Sequence, residues 1–287
     1  MKLAAVTMVY NEAEYLPLWL RHYAAALGIA HCHVVDHGST DGSTDDLGGA
    51  NRLRLPRSPH DDVRRAAFMS QYCASLLAWY DAVIHTDVDE FVIADPLQGG
   101  SLTAYAAAMS NDVETAIGFN LMHLSREEPP LDRARPLFAQ RHWVWFTSAM
   151  CKPVLIRRQV AWAPGFHSAD AAVSFGGLFL FHARYADRPI ALARLARTRM
   201  MPWADLHAGA HQRVAEADFA EMLDRMERMD RIAEVSFDPS GPPLGPLLDQ
   251  VVRTQAGREA ATYRIALDIN NYQLWRLPAR FAAAASS

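Results

Sequence analysis

Leu3-Ala4-Ala5-Val6-Thr7-Met8-Val9 is a continuous apolar and β-branched run near the start of the chain. A strand that does not alternate with polar residues is buried on both faces, so it needs packed layers above and below it. The run ends at Tyr10-Asn11-Glu12, and a helical pattern follows with Leu16, Leu20, Tyr23, Ala24 and Leu27 on one side. Asn11 with Glu14 has the form of a capping box, but Pro17 is tolerated only in a first turn. The helix is therefore expected to start near Glu14 and to stop at Gly28. His31 to Asp36 reads as a second strand and Arg52 to Leu55 as a short third. Asp61 then caps a long amphipathic helix, and Ala82-Val83-Ile84 is the next buried strand. The order β-α-β-β-α-β predicts an α/β fold, a Rossmann-like and mostly parallel sheet flanked by helices on both faces.

In such sheets ligands bind beyond the carboxyl ends of the strands. Three polar clusters fall at that edge: Asn11-Glu12, the turn formers from Asp36 to Ser43, and His85-Thr86-Asp87-Val88-Asp89-Glu90. Asp87 and Asp89 lie one residue apart at the mouth of a buried strand, a patch of hard oxygen donors. Mg²⁺ and Mn²⁺ are held by such groups, often with a substrate phosphate completing the shell. The plainer reading of the same residues is a polar turn between two strands.

After Asp89 the pattern is less regular. Leu102 to Met109 reads as a helix, and Thr115 to Leu121, Trp143 to Phe146, Pro153 to Ile156 and Gly177 to Phe181 as strands. Ser125 to Pro136, with its prolines and mixed charge, is expected to be a mobile loop of the kind that covers an active site. Ala204 to Val235 reads as helical, with Phe219, Met222, Met226 and Met229 at core spacing. Ser236 to Pro246 looks like a linker, and the last six residues are expected to fray.

Composition narrows the function classes. A net charge of -4 gives no electrostatic case for nucleic acid. Lys2 and Lys152 are the only lysines, a bias that a GC-rich genome explains. Cys32, Cys73 and Cys151 are far apart in apolar runs and read as buried thiols in a reducing compartment. Met1 leads directly into the first strand with no signal-peptide cleavage site, and no apolar run is long enough to span a bilayer. These features predict a cytoplasmic protein, with peripheral contact at the inner membrane face left open.

Val9-Tyr10-Asn11-Glu12, Asp36-His37-Gly38-Ser39-Thr40-Asp41-Gly42-Ser43 and Asp87-Val88-Asp89-Glu90-Phe91 together resemble the successive motifs of family 2 glycosyltransferases. Lys152-Pro153 and Pro164-Gly165-Phe166-His167 make the chain similar to the branch near glycosyltransferase family 92. The resemblance covers the first ninety or so residues well and extends loosely to His182. It implies a GT-A fold with a helical C-terminal extension: a glycosyltransferase domain at 1–200, split near 95 into nucleotide-binding and acceptor-side halves, and the extension at 201–287. It implies a metal-assisted, inverting transfer of a sugar, of the hexosyltransferase class, in polysaccharide assembly. The donor is a nucleotide-sugar, UDP-linked by resemblance, and the acceptor a glycan or lipid-linked hydroxyl.

The resemblance also assigns roles. The loop with Asn11 and Glu12 lies by the nucleotide, with the backbone of Thr7-Met8-Val9 against the base. Asp36 matches the aspartate that bonds the base, commonly uracil, although a strand-end cap is its plainer role. Asp41 matches a second position, for which an Asx-turn is the alternative. Asp87 and Asp89 match the Asp-x-Asp that approaches ribose and binds Mn²⁺ or Mg²⁺; Glu90 orients the loop. His182 or His167 is implied as a further metal ligand. The base that deprotonates the acceptor has no clean match; Asp170, Glu127 and Glu128 are the candidates. Arg141 and Lys152 are candidates for phosphate, with ion pairs as the alternative.

Other readings use the same residues. A sugar nucleotidyltransferase shares the architecture, but Tyr10-Asn11-Glu12 lacks the Gly-rich basic loop that such enzymes carry. His60-Asp61 with Asp87 sketches a metal-dependent hydrolase, though the pair more simply caps a helix. A catalytically silent nucleotide- or glycan-binding module of the same fold is the third.

Overall fold

The computed structural model describes residues 1–205, 209–255 and 263–284. β1 (Leu3–Val9) is buried at every residue and forms the centre of the first sheet. Leu3, Ala5 and Val9 face one layer and Ala4, Val6 and Met8 the other, so the two-faced apolar run does find cover on both sides. The first layer is α1 (Leu16–Leu27), with Pro17 in its opening turn and Gly28, at φ 89°, donating its N–H to Ala24 O as the helix ends. β2 (Cys32–Asp36) and β3 (Asn51–Arg54) follow. The second layer is α2 (Asp62–Leu76), begun by Asp61, whose carboxylate accepts the Arg64 N–H. β4 (Ala82–His85) then lies beside β1, and β3-β2-β1-β4 runs parallel throughout.

The chain next leaves this sheet for a second one. β5 (Glu90–Ala94) is the edge of the second sheet, and α3 (Leu102–Ala108) leads to β6 (Val113–Thr115), β7 (Ile117–Met122), β8 (Trp143–Phe146) and β9 (Pro153–Ile156). β9 joins β4 antiparallel and β6 joins β9, which completes the first sheet. β10 (Leu178–Tyr185) lies between β5 and β7. α4 (Arg188–Met200), α5 (Glu216–Glu227), β11 (Arg231–Ile232), α6 (Leu244–Arg253), β12 (Leu274–Arg276) and α7 (Ala279–Ala284) complete the described chain. The second sheet has the order β11-β12-β8-β7-β10-β5 and mixes parallel with antiparallel pairs.

The α/β architecture is the expected one, with an unbroken parallel run of four strands in the first sheet and two isolated parallel pairs in the second. The C-terminal region is helical in α5, α6 and α7, and it also gives β11 and β12 to the second sheet, where Leu274 and Trp275 are buried. The helix expected from Ala204 starts only at Glu216; residues 206–208 lie outside the described residues, as do 285–287 of the expected frayed end. Phe219 and Met226 are buried at the spacing read from the sequence. α4 was not foreseen, although its start is signalled: Asp187 accepts the Ile190 N–H, and Pro189 occupies the first turn. Ser125 to Pro136 is tied down. Arg21 donates to the carbonyls of Arg133 and Arg135, Arg133 to Ala13 O, and the Leu131 N–H to Asp187.

Candidate active site at the junction of the two sheets

Residues 86–89 carry the chain from β4 in one sheet to β5 in the other. Three side chains of α1 and the turn before it, all fully buried, hold this crossing: Trp19 Nε1 donates to Thr86 Oγ1 (2.9 Å), Tyr15 OH to Ala183 O (2.6 Å), and Tyr23 OH to Glu90 O while accepting the Val92 N–H. Aromatic groups with one polar end suit this work, since they fill the core and still satisfy backbone polar groups. Antiparallel register sets His182 of β10 opposite Glu90, and the Ala183 N–H donates to Asp89 O (2.7 Å). The Asp-x-Asp turn and His182 are therefore neighbours because two strands pair.

A cavity of about 710 Å³ opens at this crossing. That is within the range of small-molecule sites. Its wall carries charges of both signs. Asp87 accepts from Arg65 and from Lys152 Nζ (3.1 Å), and Lys152 Nζ also meets Glu90 Oε1 at 2.6 Å. Asp89 Oδ2 accepts from Arg194 and lies 3.4 Å from His182 Nε2, while the same guanidinium reaches Glu12 Oε1 at 3.0 Å. Arg197 pairs with Glu14 (3.0 Å) and stands 3.6 Å from Glu12 Oε2.

Burial opposes charge on all of these carboxyls, and the outcome differs among them. Lys152 and Arg65 overcome it at Asp87, and Arg194 and His182 at Asp89, holding both well below the usual carboxylate range. At Glu12 and Glu90 burial prevails and pushes the carboxyl up, against the pull of Arg194 and Lys152 respectively. The ammonium of Lys152 is itself held above the ordinary lysine value: Glu90 and Asp87 outweigh burial.

The sequence-predicted residues divide sharply. Val9, Glu12, Asp87, Asp89, Lys152, His167 and His182 all line the cavity. Glu90 orients the turn as expected, its Oε2 accepting the Asp87 N–H. Asn11 is off the cavity wall: at φ 53° its N–H donates to Ser39 Oγ and its Oδ1 accepts the Thr40 N–H, tying two loops together. Asp41 closes an Asx-turn with Ser43. Asp36 is fully buried and spends Oδ1 on the Ser39 N–H and Oδ2 on Thr44, Arg52 and Arg54. The strand-end role is the one these bonds give Asp36, which is not among the residues lining the cavity.

The three base candidates are all elsewhere. Asp170 accepts the Ala161 N–H and pairs with Arg158, Glu127 pairs with Arg231 at the surface, and Glu128 accepts the Leu124 N–H near Arg141. Arg141 is not poised for phosphate either: it is wholly buried, donating to the carbonyls of Ala186, Gln140 and Pro129. Their carboxylates and guanidinium are needed to satisfy loops, which a charge count along the sequence does not reveal. The hydrolase sketch also dissolves, since His60 pairs with Asp62 (2.9 Å) while Asp61 caps α2.

His167 explains the Pro-Gly-x-His motif. Its Nδ1 donates to Ala149 O at 2.7 Å, which makes Nε2 the basic nitrogen. A Cβ on Gly165, at φ 79°, would stand 2.9 Å from His167 Cδ2 and 3.2 Å from Nε2, so glycine makes room for the ring. The reading from sequence missed Arg57, Arg65, Arg194 and Arg197. Arg65 was legible as a basic residue near the start of α2; Arg194 and Arg197 followed only from recognising α4.

As a metal site the donor set is chemically suitable: Asp87 and Asp89 offer hard oxygens and His182 an imidazole. Among the described residues, however, no three His, Cys, Asp or Glu side chains are already grouped to hold an ion. Asp89 Oδ2 is engaged by Arg194, with which an ion bound there would compete.

No protein-family model matches the chain, and no curated protein matches it. Among solved structures it is similar to glucosyl-3-phosphoglycerate synthase from Mycobacterium tuberculosis in complex with Mn²⁺ and UDP-glucose, at 17% identity over 48% of this chain and 49% of that one, TM-score 0.30. It is also similar to mannose-1-phosphate geranyltransferase from Thermus thermophilus, at 13% identity over 79% of this chain and 64% of that one, TM-score 0.30. A third is a CMP:2-keto-3-deoxy-manno-octonic acid synthetase complexed with CTP, at 12% identity over 44% and 55%, TM-score 0.24. The chain spans about half the length of the first of these structures. The α/β architecture stands on the strand order itself. Among the described residues no helix is long and apolar enough to cross a membrane.

Proposed function

We propose that the chain is a glycosyltransferase of GT-A type that moves a sugar from a nucleotide-sugar to a hydroxyl on a glycan or lipid-linked acceptor, in cytoplasmic assembly of a polysaccharide. The observation that carries the reading is the single crossing where Asp87 and Asp89 meet Arg65, Lys152 and Arg194 in a cavity wide enough for a nucleotide-sugar. Cations placed there stabilise the negative charge that gathers on a leaving diphosphate. The sequence motifs support the same reading, with residues before about 95 serving the nucleotide and Lys152, His182 and Arg194 joining them at the diphosphate.

Asp87, Asp89 and His182 are the residues that would hold Mn²⁺ or Mg²⁺. The ion's contribution when bound is further neutralisation of the diphosphate. Proton removal from the acceptor falls to His167, which lines the cavity with Nδ1 held on Ala149 O.

The test is nucleotide-sugar binding by calorimetry, followed by a donor-turnover assay with UDP- and GDP-sugars, on wild type, Asp89→Asn and His167→Gln. Asp89→Asn is expected to abolish metal-supported binding of the donor. His167→Gln is expected to keep binding and lower kcat about 10²- to 10⁴-fold. Tight nucleotide binding without any sugar release in wild type would favour a silent binding module, and unchanged binding in Asp89→Asn would remove the metal assignment.

A further inference from the structure

Arg57 follows β3 and lies in the cavity wall with Met8, Val9, Tyr10 and His37. Its guanidinium centre is 3.7 Å from the Tyr10 ring centroid, and its Nη1 is 3.0 Å from His37 Nδ1. Arginine only donates, so His37 Nδ1 accepts and the ring is neutral; Nε2 lies 3.0 Å from Ser58 Oγ and 3.2 Å from Ser58 N. Burial and the charge of Arg57 hold His37 below its ordinary pKa, consistent with this neutral form.

Beyond His37, the guanidinium's polar neighbour is the Tyr10 side chain. Nε and Nη2 are cut off from solvent and have no hydrogen-bond acceptor among the described residues. Those two N–H groups are the parallel pair with which arginine grips two acceptors at once. Leaving charged donors buried and unmade is costly. Residue 38 also shows that the backbone is built around Arg57: a Cβ on Gly38, at φ 74°, would stand 2.9 Å from Arg57 Cβ and N.

We propose that Arg57 reads the base of the bound nucleotide, its Nε and Nη2 donating to a pair of adjacent acceptors such as O6 and N7 of guanine as the Tyr10 ring turns aside. The inference rests on the reading of this cavity as a nucleotide site. A phosphate could meet the same edge, but Arg65, Lys152 and Arg194 already serve anions around Asp87 and Asp89. Arg57 instead stands at the carboxyl ends of β1 and β2, beside the flat ring of Tyr10 and the thioether of Met8, a surface suited to a base. Asp36, the acceptor that a uracil ring N–H needs, is engaged elsewhere.

Calorimetry with GDP, UDP, 7-deaza-GDP and pyrophosphate, each with Mg²⁺, tests this on wild type, Arg57→Lys and Arg57→Met. Wild type is expected to bind GDP roughly ten- to a hundred-fold more tightly than UDP. Loss of N7 in 7-deaza-GDP is expected to weaken binding about ten-fold, a ligand-side result that does not depend on a variant folding. Both variants should lose the preference for GDP and keep wild-type affinity for pyrophosphate. Equal affinity of wild type for GDP and UDP, or for GDP and its deaza form, overturns the base assignment alone. A parallel loss of pyrophosphate in the variants shows that Arg57 grips phosphate and overturns it too. If wild type binds none of the nucleotides, the nucleotide-site reading fails with it.

Discussion

Lys152→Met is the most demanding perturbation of the crossing. Lys152 is 5% exposed at its side chain and Glu90 1%, so the pair is nearly out of water; Asp87, at 25%, keeps Arg65 when Lys152 is removed. Glu90 alone is left as a buried, unpaired carboxylate. Breaking a buried pair on one side costs about 3–5 kcal/mol. The penalty has a ceiling, because Glu90 can take a proton instead: from an ordinary value of 4.5 this costs about 1.4 kcal/mol per pH unit, or about 3.4 kcal/mol at pH 7 and about 1.4 at pH 5.5. The sign follows. In the variant Glu90's folded pKa lies above its unfolded one, so the folded state holds the extra proton and stability falls as pH rises from about 4.5 towards 7. Urea unfolding of wild type and variant at pH 7 and 5.5, in chelator, should show a penalty smaller at the lower pH by at most about 2 kcal/mol, since Glu90 is already raised in wild type. Adding Glu90→Gln should restore most of the loss at pH 7 and remove its pH dependence. A penalty below about 1 kcal/mol, or one equal at both pH values, refutes the account of Lys152 as the counter-charge of a buried glutamate.

Two further outcomes follow from local geometry. Gly165→Ala places a Cβ at positive φ against the His167 ring, and it should cost about 1–3 kcal/mol in unfolding experiments and reduce turnover by displacing Nε2; a neutral effect on both would show that the motif glycine is dispensable. His22, packed on Tyr23 and Phe91 with Nε2 donating to Val92 O, is pushed down to about 4 by burial. The unfolded chain therefore takes this proton first, and stability should fall between pH 6.5 and 4 by up to about 1.4 kcal/mol per unit, a slope that His22→Gln removes.

The parts of this molecule that were legible in the sequence are those decided by near neighbours along the chain. Leu3–Val9 had to be a buried strand because nothing in it alternates, and Asp61 had to start a helix because its carboxylate meets the Arg64 N–H three residues on. The crossing was legible in part: a strand-end position brought Asp87 and Asp89 to the cavity. What charge each carboxylate meets was not legible, since Lys152 lies 65 residues from Asp87 and Arg194 lies 105 from Asp89. The same limit defeated Asp170, Glu127 and Glu128, which look free in sequence and are claimed by Arg158, Arg231 and the Leu124 N–H. Asp36 is the instructive case, because its position was right and its partners, two arginines on the adjacent strand, changed its work.

The charge arrangement at the crossing bears on the order in which ligands arrive. Glu12, Glu14, Asp87, Asp89 and Glu90 face Arg65, Lys152, Arg194 and Arg197, so every cation of the cluster already has an anionic partner. A divalent ion alone would have to expel Arg194 from Asp89 and leave a buried guanidinium with fewer anions, which is unfavourable. A diphosphate changes this, since it offers Arg194 a new bidentate partner and gives the ion further oxygens. Mn²⁺ and nucleotide should therefore bind with positive coupling, each tightening the other by the same factor. Titration of Mn²⁺ followed by electron paramagnetic resonance, with and without nucleotide, should show weak binding alone and binding at least roughly ten-fold tighter with nucleotide. Arg194→Ala, in which Asp89 and Glu12 are already released, should bind Mn²⁺ alone more tightly than wild type and lose the coupling. Equal Mn²⁺ affinity in the two proteins would mean that Arg194 and the ion do not compete for Asp89.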